Sequence, residues 1–140
     1  MLDTLKFDHL GIAVKNIDRD LAVYTALGFR PVTDLTECEA AGVKYIYLIA
    51  DGGPMIELIA DLKPGGPMSG NIAAGRKLFQ MAYKTDDLER DVGRLTKEFG
   101  AIQLGPVCES PTHEKGCSLM LKNRTVVELV QGEKPGMIRR

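Results

Sequence analysis

The chain has 140 residues, in which 18 Lys and Arg stand against 19 Asp and Glu, for a formal net charge of −1 at pH 7. That balance leaves no concentrated basic surface of the kind that nucleic acid or an anionic membrane demands, and neither partner is expected. The N-terminus lacks a basic region followed by an apolar run and a cleavage site, and no apolar stretch approaches the roughly 20 residues that cross a bilayer, so a soluble cytoplasmic protein is expected.

From Phe7 to Val14 the residues alternate, with Leu10, Ile12 and Val14 on one face and Phe7, His9, Gly11 and Ala13 on the other, the period of a strand. His9 therefore faces away from the aliphatic row. A helix follows, with Asp18 as its expected N-cap, Leu21, Tyr24 and Leu27 at helical spacing, and Gly28 where a left-handed terminal residue falls. Phe29 to Glu37, Val43 to Ala50 and Met55 to Ala60 read as three strands, the last two joined by the turn Asp51-Gly52-Gly53-Pro54. The stretch from residue 63 to 77 begins Lys63-Pro64-Gly65-Gly66-Pro67 and reads as a linker without regular structure.

The order then repeats. A strand spans Leu78 to Thr85, and a helix starts near Asp87 with Leu88, Val92, Leu95 and Phe99 on one stripe and stops at Gly100. Strands at Ala101 to Val107, Cys117 to Lys122 and Thr125 to Val130 follow, and residues 132–140 read as a solvated tail. The expected class is α+β, built as two tandem βαβββ modules over residues 1–62 and 78–131.

The two modules share more than their order. His9 and Gln80 are 71 positions apart, as are Glu57 and Glu128, and Arg19-Asp20 falls over Arg90-Asp91 at the same offset. Self-similarity at a fixed spacing marks a duplicated unit. Glu57 in Met55-Ile56-Glu57-Leu58-Ile59 and Glu128 in Val126-Val127-Glu128-Leu129-Val130 each interrupt a strand that otherwise reads as buried. Unpaired buried carboxylates cost several kcal/mol or more. A divalent ion relieves that cost. If the modules are related by an approximate twofold axis, His9, Glu57, Gln80 and Glu128 converge as one nitrogen and three oxygen ligands, a set suited to Zn²⁺, Ni²⁺, Co²⁺, Mn²⁺ or Fe²⁺.

Singly, each of these residues has a plainer role: a packed strand histidine, a surface or core amide, a carboxylate on a solvated face. Other candidates are weaker still. His113 falls in Ser110-Pro111-Thr112-His113-Glu114-Lys115-Gly116, which reads as an exposed loop able to touch substrate. Asp86-Asp87 reads as a helix cap, and Arg76 and Lys77 as a solvated linker end that could instead meet an anionic group. Cys38, Cys108 and Cys117 have no CxxC spacing and read as reduced structural thiols, with Cys108 and Cys117 approaching across a hairpin.

Phe7-Asp8-His9-Leu10-Gly11-Ile12-Ala13-Val14 followed by Asn16-Ile17-Asp18, the paired modules and the two Glu-Leu strand motifs resemble the vicinal oxygen chelate superfamily. Its members include glyoxalase I, methylmalonyl-CoA epimerase, extradiol dioxygenases, fosfomycin-modifying enzymes and metal-free bleomycin-binding proteins. Residues 39–48, then Ile56-Glu57-Leu58-Ile59, look most like the epimerase and glyoxalase branch. The resemblance implies a curved eight-stranded mixed sheet around a central cavity, a homodimer, and His9, Glu57, Gln80 and Glu128 at the metal-ligand positions. It also implies an isomerase, epimerase or glyoxalase-type lyase that removes a proton α to a chelated carbonyl of a small carbonyl or thioester substrate. Glu128 is then the first candidate for the base and Glu57 the second. Gln80 departs from the epimerase branch, which usually has His there, although some glyoxalases use one Gln, one His and two Glu. The other reading the family offers is a metal-free protein that binds a small molecule or antibiotic. A ring-cleaving dioxygenase fits less well, since its iron site wants two histidines and a carboxylate.

Overall fold

The computed structural model describes residues 2–140. Its elements run β1 (Lys6–Ala13), α1 (Ile17–Ala26), β2 (Phe29–Pro31), β3 (Thr36–Cys38), β4 (Val43–Ala50), β5 (Met55–Asp61), α2 (Ser69–Ala73), β6 (Leu78–Lys84), α3 (Leu88–Phe99), β7 (Ile102–Gln103), β8 (His113–Met120) and β9 (Val126–Glu133). The strands make a mixed sheet of order β2-β4-β5-β1-β6-β9-β8-β7, with β3 also paired to β4, so the α+β class expected from the sequence is present. The chain divides into two compact units, one of Gln80–Pro135 with the N-terminal residues through Asp8, the other of His9–Phe79 with Gly136–Arg140.

In the unit containing His9, β5 lies parallel to β1 and antiparallel to β4. Strand alternation sorts the side chains. Ile12, Val14, Ile46, Leu48, Ile56 and Leu58 pack with Ile17, Leu21 and Tyr24 of α1 and its entry, while Ala13, Tyr45, Tyr47, Met55 and Ile59 form a separate cluster. The α1 N-cap is Asn16, whose Oδ1 accepts from the Arg19 N–H at 3.0 Å; Asp18, the expected cap, lies inside the first turn. Gly28 follows the helix with φ +97°, the left-handed conformation expected of it.

In the other unit β9 lies parallel to β6 and antiparallel to β8. Leu88, Val92 and Leu95 of α3 pack on Cys117, Leu119, Val127 and Leu129, but Phe99, expected on the same stripe, is exposed. Asp87 caps this helix, as its position suggested, accepting from the Arg90 N–H, and Gly100 ends it at φ +68°.

Several expected elements are corrected. The single strand from Phe29 to Glu37 is two, β2 and β3. Pro31 brings no N–H to the ladder, and beyond it the Thr33 hydroxyl takes the place of a carbonyl, accepting from the Tyr47 N–H at 3.0 Å. The linker contains α2, because the Asp61 carboxylate accepts from the Met68 N–H and the Ser69 hydroxyl, each at 2.7 Å. Only glycine fits at Gly66, where a Cβ would stand 2.7 Å from that carboxylate. The strand expected over Ala101 to Val107 shrinks to two residues, β7. β8 begins at His113 and β9 runs to Glu133, both beyond their expected limits. The tail is largely exposed, as expected, but it is anchored near its end: Ile138 is buried in the Tyr45 and Tyr47 cluster, and the Arg139 N–H donates to the Val32 carbonyl at 2.7 Å.

Candidate functional site

His9 lies on β1 on the side away from Ile12 and Val14, and its side chain is fully buried. Across the parallel β1–β5 pair, Gly11 stands opposite Glu57, and His9 Nε2 lies 3.2 Å from Glu57 Oε1. Glu57 is 6% exposed. His9 is the only polar partner of its carboxylate among the described residues. Such a carboxylate has accepting capacity left over. Tyr47, opposite Glu57 in the β4–β5 register, closes on the imidazole edge to face, with ring centroids 4.9 Å apart and planes at 79°.

In the other unit, Gln80 on β6 is 8% exposed, and its side chain makes no hydrogen bond among the described residues. Glu128 on β9 is half-buried and stands opposite Ser118 and Ala82, out of register with the Val127 and Leu129 side chains that meet α3. A cavity of about 390 Å³ opens in the same unit, with Lys6, Lys84, Thr85, His113, Val130 and Glu133 among its lining. Val130 lies one pleat beyond Glu128, about 7 Å along the strand. The candidate ligands are thus placed pairwise, His9 with Glu57 in one unit, Gln80 and Glu128 in the other.

His113 is not the exposed loop residue that its turn-rich surroundings suggested. It opens β8, is 4% exposed, and its Nδ1 lies 3.1 Å from the Thr112 hydroxyl. Stepping the Cys117 and Leu119 alternation back to Lys115 and His113 would have found it. Nor is Lys77 a solvated linker end: its ammonium donates to the buried Asp20 carboxylate at 3.1 Å.

The repeated Arg-Asp pairs are structural. Asp91 is fully buried and accepts from Thr4, Thr85 and Arg90. Burial pushes its carboxyl up, but the hydrogen bonds from Arg90, Thr85 and Thr4 outweigh that and hold it below the usual aspartate value. The three cysteines are free thiols, and Cys108 pairs through its backbone with Gly116 beside Cys117. Burial, then the neighbouring Cys108 and Glu128, pushes the Cys117 thiol up, the opposite of what a nucleophile needs. Among the described residues no helix is long and apolar enough to cross a membrane.

Similar architecture occurs in solved proteins. A hypothetical protein from Bacillus halodurans superposes with a TM-score of 0.82 at 21% identity, covering 94% of this chain and 97% of its own. The methylmalonyl-CoA epimerase of Mycobacterium tuberculosis gives 0.79 at 21% identity over 91% and 88% of the two chains. That of Streptomyces coelicolor, a variant in complex with 2-nitronate-propionyl-CoA, gives 0.78 at 22% identity over 93% and 99%. At these identities the likeness is one of fold. No curated protein sequence matches the chain significantly. The sequence model of the Glyoxalase/Bleomycin resistance protein/Dioxygenase superfamily matches residues 8–118, and the chain belongs to that superfamily.

Proposed function

We propose that this chain is a divalent-metal-dependent isomerase or epimerase, or a lyase of the glyoxalase I type, that removes a proton α to a carbonyl of a small carbonyl compound or thioester. The observation that carries the reading is the buried Glu57 carboxylate, whose one hydrogen bond among the described residues comes from an imidazole rather than from Lys or Arg. The chemistry of the donors fits a cation. His9, Glu57 and Glu128 are a nitrogen and carboxylate set of the kind that holds a divalent ion, and the amide oxygen of Gln80, a residue 8% exposed, is a fourth donor. The epimerase of similar fold bound to a propionyl-CoA nitronate supports a thioester as one substrate class.

His9, Glu57, Gln80 and Glu128 would hold the divalent ion, which when bound would supply Lewis-acid polarisation of the substrate carbonyl. The residues of the chain do the rest. Glu128, half-buried on β9, takes the α-proton, with Glu57 as second candidate. Return of the proton to the same carbon inverts a stereocentre; return to the neighbouring carbon interconverts a hydroxy-carbonyl pair.

The test is elemental analysis of tag-free protein offered Zn²⁺, Ni²⁺, Co²⁺ and Mn²⁺ and then dialysed, with Glu57→Ala alongside. Near-stoichiometric metal that the variant loses is expected, followed by α-proton exchange on acyl-CoA or hemithioacetal substrates. Protein that retains no metal yet binds aromatic or hydrophobic ligands overturns the proposal in favour of a metal-free binding protein.

A further inference from the structure

Strand pairing sets Arg30 of β2 opposite Ile49 of β4, Ile49 opposite Met55 of β5, and Met55 opposite His9 of β1. Residues paired directly across a ladder share a face of the sheet, so these four form one row, a single pleat away from Glu57. The packing agrees with the register. Phe29 lies against the α1 cluster, whereas Val32, on the same face as Arg30, lies with Tyr47 and Met55. From Arg30 to His9 the row covers three strand spacings, about 14 Å between Cα atoms.

Burial falls steadily along that row. His9 is fully buried and Met55 nearly so, Ile49 is half-buried, and Arg30, on the edge strand, is exposed. Arg90 and Arg139 are paired with Asp86 and Asp34, but Arg30 makes no hydrogen bond or ion pair among the described residues. It is also the one Lys or Arg that the strands of this unit place on the Glu57 face; Lys44 of β4, opposite Ala60, belongs to the other face. The row therefore runs from a buried imidazole beside a carboxylate, over two apolar side chains, to an unpaired guanidinium at the rim.

We propose that Arg30 determines specificity by holding an anionic group, carboxylate or phosphate, at the far end of an extended substrate whose carbonyl end is bound at His9 and Glu57. The carbonyl end rests on the α-proton reading above, whereas the anion rests on Arg30. A guanidinium meets either anion through parallel hydrogen bonds, and an anion already in water approaches the rim without the cost of burial. Ile49 and Met55 offer no polar side chain between the two ends, so the arm that joins them is one that tolerates an apolar wall. Among thioesters, one with a distal anion is held at both ends and a neutral one at a single end.

The experiment measures by calorimetry the affinity of full-length protein, offered Co²⁺ and dialysed, for propionyl-CoA, which carries phosphates, S-propionylglutathione, which carries carboxylates, and S-propionyl-N-acetylcysteamine, which carries no charge. Wild type, Arg30→Gln, Arg30→Lys and Lys44→Gln are compared, the last removing the same charge from the opposite face of the sheet. Wild type is expected to bind an anionic thioester about tenfold or more tightly than the neutral one, and the thioester it prefers names the anion. Arg30→Gln is expected to lose about tenfold on that thioester and to stay within about twofold on the neutral one, Arg30→Lys to lose less, and Lys44→Gln to lose nothing. In α-proton exchange the same loss is expected in KM, with kcat unchanged. Wild type that binds no anionic thioester, or prefers neither to the neutral one, overturns the proposal. So does an equal loss on the neutral thioester, no loss in Arg30→Gln, or the same loss in Lys44→Gln. Arg30-dependent binding without α-proton exchange overturns the reading of the reaction and leaves the anion site standing.

Discussion

His9 Nε2 and Glu57 Oε1 stand 3.2 Å apart with both side chains shut away from solvent. An ionised carboxylate can only accept, so the shared proton is carried by Nε2, and a neutral His9 is the Nε2–H tautomer. The same nitrogen is the one proposed to bind metal, and it cannot hold both. Zn²⁺ is therefore expected to move the His9 proton to Nδ1, exchanging the two ring ¹⁵N signals. A His9 spectrum that stays the same in Zn²⁺-loaded protein would remove His9 from the ligand set.

Glu128 sits out of register with the residues that bind α3, so replacing it should leave the packing of its unit intact. Glu128→Gln keeps size and loses the base. The expected result is an unfolding midpoint close to wild type and a fall in α-proton exchange of about 100-fold or more. Near-normal exchange assigns the base elsewhere, with Glu57 next in line.

Alternation made β1 readable and put His9 on the face away from the aliphatic row, whereas β4 and β5 were legible as apolar runs joined by a turn, with Glu57 interrupting a strand that is covered almost throughout. The same signal was present at Tyr45 and Tyr47, opposite Ile46 and Leu48, yet aromatic residues in a strand look like ordinary core until a partner is seen. What failed were places where a side chain replaces a backbone partner. The Thr33 hydroxyl standing in for a carbonyl and the Asp61 carboxylate capping α2 depend on contacts between residues distant in sequence. The tail misled for another reason: Gly132-Glu133-Lys134-Pro135-Gly136 has the composition of a solvated segment, and one apolar residue, Ile138, outweighs it.

Asp91 is worth testing as a structural acid. Asp91→Ala leaves the Thr4 and Thr85 hydroxyls and one side of Arg90 without their acceptor, at an expected cost of about 2–3 kcal/mol in urea unfolding at pH 7. The sign of the pH effect follows from the lowered carboxyl. Between the folded value and the ordinary value near 3.9 the unfolded chain binds more protons, so stability rises with pH there. The contribution is complete above the ordinary value and is lost as pH falls through the folded one. The gap between wild type and variant should shrink from pH 7 to pH 3; a constant gap would mean that the loss is one of packing.

The three thiols differ in exposure: Cys108 is exposed, Cys38 and Cys117 are buried, and the Cys117 thiol is pushed up by burial and its neighbours. A disulfide reagent should titrate about one thiol in native protein and all three after denaturation. Rapid reaction of a second native thiol would show that β3, which carries Cys38, or β8, which carries Cys117, opens.

Ile138 and Arg139 separate two ways in which the C-terminal segment could be held. Ile138 is 8% exposed among Val32, Tyr45, Tyr47 and Met68, whereas the Arg139–Asp34 ion pair, at 3.1 Å, joins two well-exposed side chains. Truncating a buried isoleucine removes its transfer energy and leaves a cavity, so Ile138→Ala is expected to cost about 2 kcal/mol in urea unfolding. An exposed pair contributes at most about 1 kcal/mol, and Arg139→Ala should fall below that because its backbone N–H still reaches the Val32 carbonyl. A chain ending at Pro135 should lose at least as much as Ile138→Ala. If all three variants unfold at the wild-type midpoint, the segment contributes nothing in solution and the composition-based reading of a solvated tail is restored.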